Sequence, residues 1–180
     1  MAKPAENTFA LDLEDIRRRA RERMKDGAVT NANKTDNGKL IEVLNDALAT
    51  ELVCVLRYKA HYYAAKGAHG KIVAQEFLEH AVEEQGHADQ LAERIDQLGG
   101  KPDLNPSHLA KRAHTEYREG DDLKHMLKED LVAERIAIES YTEIIRWVDD
   151  GDPTTRRMLE SILAKEEEHA DDLAKLLGDF

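Results

Sequence analysis

The sequence predicts an all-α protein: a four-helix bundle with one long crossover, preceded by a short amphipathic helix. Three observations carry this reading. Four stretches of helical apolar periodicity are bounded by Asp, Gly and Pro signals. The connections between them are short, long and short. The two halves also repeat one another: "EQGHADQLAE" at 84–93 is echoed by "EEEHADDLAKLL" at 166–177.

Each element follows from its own residues. Within 12–25, Leu13, Ile16, Ala20 and Met24 form an apolar stripe, with Arg17, Arg18, Arg19, Arg21, Arg23 and Lys25 mostly off it. "DGAVTNANKTDNG" then reads as a linker. The first long helix spans about 37–66 and ends at Gly67; the second spans about 71–98 and stops at Gly99-Gly100-Lys101-Pro102. The third spans about 122–149, with Asp121 or Asp122 as N-cap. The fourth opens at Asp152-Pro153, an N-cap followed by proline in the first helical position, and ends near Gly178. A helix of about 28 residues is about 42 Å long. The short links make each pair an antiparallel hairpin, and the 99–120 segment is long enough to traverse the bundle. Ser107-His108-Leu109-Ala110 starts a short helix inside it. Residues 1–36 are read as an N-terminal extension and 37–180 as the bundle.

Composition narrows the function. A chain of 180 residues, 41% apolar and 35% charged, with four prolines and ten glycines, suits one helix-rich domain. No apolar run reaches the roughly 18 residues of a membrane span, and the N-terminus lacks a secretory profile, so the protein is expected in the cytoplasm. A single cysteine, Cys54, excludes an intrachain disulfide and any cysteine-based zinc or iron–sulfur site. Within "LVCVL" it is expected to pack as a small hydrophobe. Net charge is −11: residues 1–36 carry eight Lys/Arg against seven Asp/Glu, which leaves −12 for residues 37–180. An acidic body disfavours nucleic acid and attracts cations.

The repeat carries the chemistry. The first hairpin has Glu51-(x)6-Tyr58 on its leading helix and Glu84-x-x-His87 on its return helix. The second has Glu134-(x)6-Tyr141, then Glu166-x-x-His169. Residues three apart share a helix face, so each Glu–His pair can grip one ion. Glu51 sits among Leu48, Leu52 and Val55, and Glu134 among Leu131, Ile138 and Tyr141. An unpaired carboxylate facing a core is expensive, and two divalent cations would offset that cost. Four carboxylates and two imidazoles, without sulfur, suit two iron or manganese ions, and zinc can substitute. This is the ligand pattern of di-iron bundle proteins. A lone Glu-x-x-His is common by chance; the joint, evenly spaced duplication is not. The tyrosines are equally consistent with an ordinary core. Glu83, Glu167 and Glu168 are assigned to a solvated face. His61 either supports the ligands or contacts an ion, and His69, His80, His108, His114 and His125 are assigned to the surface or to interfaces.

At "ELVCVLRYKAH" (51–61), "EQGHADQLAERI" (84–95), "DLVAERIAIESY" (130–141) and "EEEHADDL" (166–173) the chain resembles the ferritin-like superfamily, bacterioferritin above all. The resemblance covers about residues 37–177. It implies a ferritin-like four-helix bundle, with Glu51 and Glu134 as terminal ligands and Glu84 and Glu166 as bridging carboxylates. His87 and His169 would supply one imidazole per iron, and Tyr58 a reducing equivalent beside the centre. Three points depart from bacterioferritin. Its haem methionine is replaced by Gln85, so haem is not expected. Its short fifth helix has little room after His169, and the N-terminal extension is closer to the Dps-like mini-ferritins. Some such relatives carry a cysteine pair near the centre, which Cys54 alone cannot supply.

The resemblance therefore implies a ferroxidase and iron-storage protein. It would oxidise Fe(II) with O2 or H2O2 at two irons per subunit and mineralise Fe(III) in a homo-oligomeric, dodecameric shell. The alternatives are another di-metal oxidase, a manganese catalase, or a Dps-type DNA-protecting protein resting on Arg17–Lys25. Nucleic acid is not the favoured partner, because that segment also has an apolar side suited to a neighbouring subunit.

Overall fold

The computed structural model describes residues 9–67 and 70–180, so His69 and the first eight residues lie outside it. Among the described residues there is no strand. Six α-helices occur: α1 (Leu13–Arg19), α2 (Asn37–Ala64), α3 (Gly70–Gln97), α4 (Pro106–Arg112), α5 (Leu123–Val148) and α6 (Pro153–Gly178).

Side-chain caps set where the helices begin. Asp36 accepts from the Lys39 amide at 3.0 Å, Asp122 from His125 at 2.8 Å and Asp152 from Thr155 at 3.0 Å. Pro153 follows its cap in the first helical position, and Pro106 does the same after Asn105. At the end of α3, Gly99 takes a left-handed φ of 80°. Its amide bonds to Asp96 O and that of Gly100 to Ile95 O, a Schellman closure.

Two boundaries differ from the sequence reading. The 12–25 segment is not one helix: α1 stops at Arg19, and Arg23 turns left-handed before a single 3-10 turn at Met24–Asp26. The Asp12 cap and the Asp15 pairs with Arg18 and Arg19 hold only these first turns, and no residue of α1 is buried to extend the helix further. Arg17–Arg21 and Arg19–Arg23 would also place like charges one turn apart. Helix α2 ends at Ala64, where Ala65 bonds back to His61 O and turns extended.

Helices α2 and α3 pack as one hairpin, α5 and α6 as the other. Their shared core has two apolar layers. One gathers Leu44, Leu48, Leu91, Ile95, Ala137, Leu159 and Ile162; the other gathers Tyr58, Phe77, Ala81, Leu127 and Leu173. Helix α3 ends at the first layer and α5 starts at the second, so the crossover runs the length of the bundle. It is tied down on the way. Leu109 of α4 packs on Ala49 and Val53. Buried Arg57 donates to Asp130 at 2.8 Å and to Thr115 and Glu116 O at 3.3 Å. His61 Nδ1 lies 2.8 Å from the other Asp130 oxygen, and its Nε2 lies 3.2 Å from Arg118 O.

Candidate metal centre

Each long helix passes from one apolar layer to the other at a glutamate. On α2, Glu51 lies between Leu48 and Cys54; on α3, Glu84 lies between Ala81 and Ala88. On α5, Glu134 lies between Leu127 and Ala137; on α6, Glu166 lies between Ile162 and Leu173. The helical repeat adds His87 and His169 one turn after Glu84 and Glu166. The result is a polar slab inside an apolar bundle. All six side chains are buried, none more than 6% exposed.

They form two overlapping sets. One ligating atom each from Glu51, Glu84, His87 and Glu166 lies within 4.8 Å of the others, and the same holds for Glu84, Glu134, Glu166 and His169. Glu84 and Glu166 belong to both, which is the position a bridging carboxylate needs. His87 Nδ1 is 3.4 Å from Glu51, 3.3 Å from Glu84 and 2.8 Å from Glu166. His169 Nδ1 is 3.6 Å from Glu84, 3.8 Å from Glu134 and 3.9 Å from Glu166.

These groups fit divalent cations on their own hydrogen bonding. Glu51 Oε2, Glu84 Oε1, Glu134 Oε2 and His169 Nδ1 are buried without a hydrogen-bond partner, and Glu166 Oε1 has only His87 Nδ1, at 2.8 Å. A buried polar atom left unsatisfied costs about 1–3 kcal/mol, and Glu51, Glu84, Glu134 and His169 all belong to the two ligand sets. Electrostatics says the same. Burial, then the neighbouring Glu84, pushes the Glu51 carboxyl well above its usual range. Burial, then Glu84, Glu51 and Glu134, does so for Glu166. Burial also works against the charge of Glu84, but the neighbouring Glu51, His169 and His87 outweigh it and hold its carboxyl low. Burial opposes the imidazolium of each histidine, yet carboxylate neighbours raise both to about 10: Glu51 and Glu84 for His87, Glu134 and Glu84 for His169. Protons thus supply the positive charge that metal ions would replace.

Supporting residues orient the candidate ligands. Tyr58 of α2 donates a short hydrogen bond to Glu134 Oε1, and Tyr141 of α5 donates one to Glu51 Oε1. Each leaves the second oxygen of its carboxylate facing the cluster. Burial, then the adjacent Glu134 or Glu51, raises both phenols well above their usual pKa, so they remain donors. Glu83 lies 2.7 Å from His169 Nε2, which turns Nδ1 toward the carboxylates.

Glu83 is exposed, as a solvated face requires, and it also reaches a candidate ligand, 2.7 Å from His169 Nε2. Two expectations need correction. His80 was assigned to the surface, yet it is 3% exposed. Its ring stacks on His169 at 4.0 Å, and its Nδ1 is 3.2 Å from the Tyr58 hydroxyl. Burial and the adjacent His169 keep its pKa below the usual value. His61 serves Asp130 and the crossover and joins none of the ligand clusters among the described residues. The equivalence of Tyr141 to Tyr58 was visible as the repeated Glu-(x)6-Tyr, but the swap of partners was not. Cys54 is buried, as its apolar surroundings in sequence suggest.

Comparison with known proteins agrees with this architecture. The model of the ferritin-like domain matches residues 41–180. A bacterioferritin of Brucella melitensis is 35% identical over 134 residues, covering 74% of this chain and 79% of that protein. A nutrient stress-induced DNA-binding protein of Synechococcus sp. is 32% identical over 143 residues, covering 78% and 81%. Among solved structures, a dodecameric, bacterioferritin-related thioferritin from Bacteroides fragilis superposes with a TM-score of 0.78 at 37% identity, covering 81% of this chain and 88% of that one. With a buried carboxylate–histidine slab in a crossover four-helix bundle, and the family's pattern matched over the whole bundle, this chain belongs to the ferritin-like family.

Proposed function

We propose that the protein is a ferroxidase that binds two Fe(II) per subunit as substrate and deposits the oxidised iron as mineral inside a homo-oligomeric shell. The observation that carries this reading is the pair of overlapping ligand sets sharing Glu84 and Glu166, with unsatisfied oxygens turned inward. Paired metal ions supply two electrons to one O2 or H2O2 and spread the change of charge over both ions. The protein's own part is positional. Tyr58 and Tyr141 fix the outer carboxylates, Glu83 fixes His169, and the apolar layers on either side keep bulk water from the slab. Tyr58 is also placed to give up an electron, since its hydroxyl touches a candidate ligand. The dodecameric assembly of the Bacteroides fragilis thioferritin supports a twelve-subunit shell here.

A DNA-protecting role, suggested by the name of the Synechococcus relative, is less favoured. Arg18 and Arg19 pair with Asp15, Arg18 with Glu22, and Arg23 with Asp26. The basic segment is therefore partly neutralised by its own acids. A manganese catalase or an oxidase of an organic substrate is tested by its turnover: fast peroxide disproportionation without iron would favour it.

The test of the centre is Glu84→Ala and Glu166→Ala, each assayed by stopped-flow Fe(II) oxidation and by metal stoichiometry. Each variant is expected to lose fast oxidation, and the paired site with it, while circular dichroism keeps its helical signal. Unchanged oxidation kinetics in both would overturn the assignment.

A further inference from the structure

We propose that Glu76, His80 and Asp172 form a third divalent-cation site at the mouth of the paired centre, from which His80 passes the ion to Glu134 and His169. The inference rests on the reading of the centre as a di-metal site and adds a station on its way in.

The geometry begins with α3. Glu76 and His80 are one turn apart, and Glu76 Oε1 is 3.2 Å from His80 Nε2. Asp172 comes from α6, one turn after His169, and so lies on the same face as that residue. A ligating atom from each of the three lies within 4.8 Å of the others. An ion about 2.1 Å from each donor needs the two carboxylates to turn inward slightly, and both have solvent on one side to do so. Their side chains are 28% and 36% exposed, whereas His80 is buried. Asp172 also accepts from Lys175 at 3.2 Å, an exposed contact that a divalent ion would displace.

A second observation points inward from the same imidazole. His80 belongs to another trio, with Glu134 and His169, whose ligating atoms again lie within 4.8 Å. In that trio Glu134 Oε2 and His169 Nδ1 are buried and lack hydrogen-bond partners. His80 is thus the one residue common to a solvent-reaching carboxylate pair and to two unsatisfied donors of the slab. An imidazole with donors on both sides can hold an ion outside and release it inward by a ring rotation. Oxygen and nitrogen donors without sulfur suit Fe(II), Mn(II) and Zn(II).

The experiment uses Zn(II), which undergoes no redox change, with the intact protein and a Glu76→Gln/Asp172→Asn variant. Anomalous diffraction from zinc-soaked wild-type crystals is expected to show three peaks per subunit, one of them between Glu76, His80 and Asp172. The variant is expected to lose that peak alone, its two inner peaks showing that the fold is intact. Stopped-flow Co(II) absorption should show the inner pair filling about tenfold more slowly in the variant, as lost focusing of the cation predicts. Two inner peaks in the wild type with no outer one would overturn the site. An outer peak with unchanged filling kinetics would overturn the transfer. An outer peak without the inner pair would instead sink the di-metal reading and leave this site standing.

Discussion

Tyr58 donates its hydroxyl proton to Glu134, the candidate ligand of the opposite hairpin rather than the Glu51 of its own helix. Tyr141 returns the bond to Glu51. Each hairpin thus orients the outer carboxylate of the other, and the two halves of the centre are not independent. Tyr58→Phe and Tyr141→Phe are each expected to weaken metal binding about 10–100-fold, the usual consequence of losing an orienting partner. Calorimetric titration with Zn(II) measures this without redox chemistry. Wild-type affinity in both variants would reduce the tyrosines to packing.

Asp152 ties the start of α6 to α3. It caps α6 through the Thr155 amide and accepts from Arg94 at 2.8 and 3.0 Å while buried. Burial alone would raise its pKa, but the Thr155 and Arg94 bonds hold it below the ordinary 3.8. A carboxyl depressed in the folded state stabilises the fold above its unfolded pKa, and that contribution fades as pH falls through the folded value. The contribution should therefore be constant near neutrality and fade progressively below about pH 4. Asp152→Ala removes a cap and strands a buried guanidinium, which should cost about 3–5 kcal/mol. Urea unfolding at pH 7 and pH 3 checks both points: the gap between variant and wild type should shrink in acid.

Haem should not bind with the stoichiometry found where a methionine supplies the axial ligand. At that position Gln85 is exposed and donates to Asp89 at 2.9 Å, and an amide offers no thioether to iron. A stoichiometric Soret band after reconstitution would show the inference from this residue to be wrong.

The N-terminal segment should act in assembly. Leu13 and Met24 are 51% and 75% exposed, and α1 buries nothing against its own chain. Deleting residues 1–30 is expected to weaken the oligomer in sedimentation experiments while the Zn(II) stoichiometry of the centre persists. A gel shift at about 150 mM salt, where screening acts over about 8 Å, should show negligible DNA binding. Tight binding that vanishes on deletion, with the shell intact, would favour a DNA protector.

What could be read from the sequence was whatever a single helix determines. Glu84 with His87, and Glu166 with His169, share a face because the helix repeats every 3.6 residues, whatever the surroundings. The caps at Asp36, Asp122 and Asp152 are likewise local, as is the Schellman closure at Gly99. The burial of Glu51 and Glu134 was legible too, since apolar residues surround each one. The rest depended on how the helices are rotated against one another, which no periodicity specifies. Rotation sends Tyr58 to Glu134 and Tyr141 to Glu51. It brings Glu83, from an apparently solvated face of α3, to His169 on α6, and slides His80 beneath the same ring. It also turns His61 toward Asp130 and the crossover. The 12–25 stripe failed for the opposite reason. Its pattern was sound, but extending the helix past Arg19 needs buried contacts, and no residue of α1 is buried against the chain's own bundle.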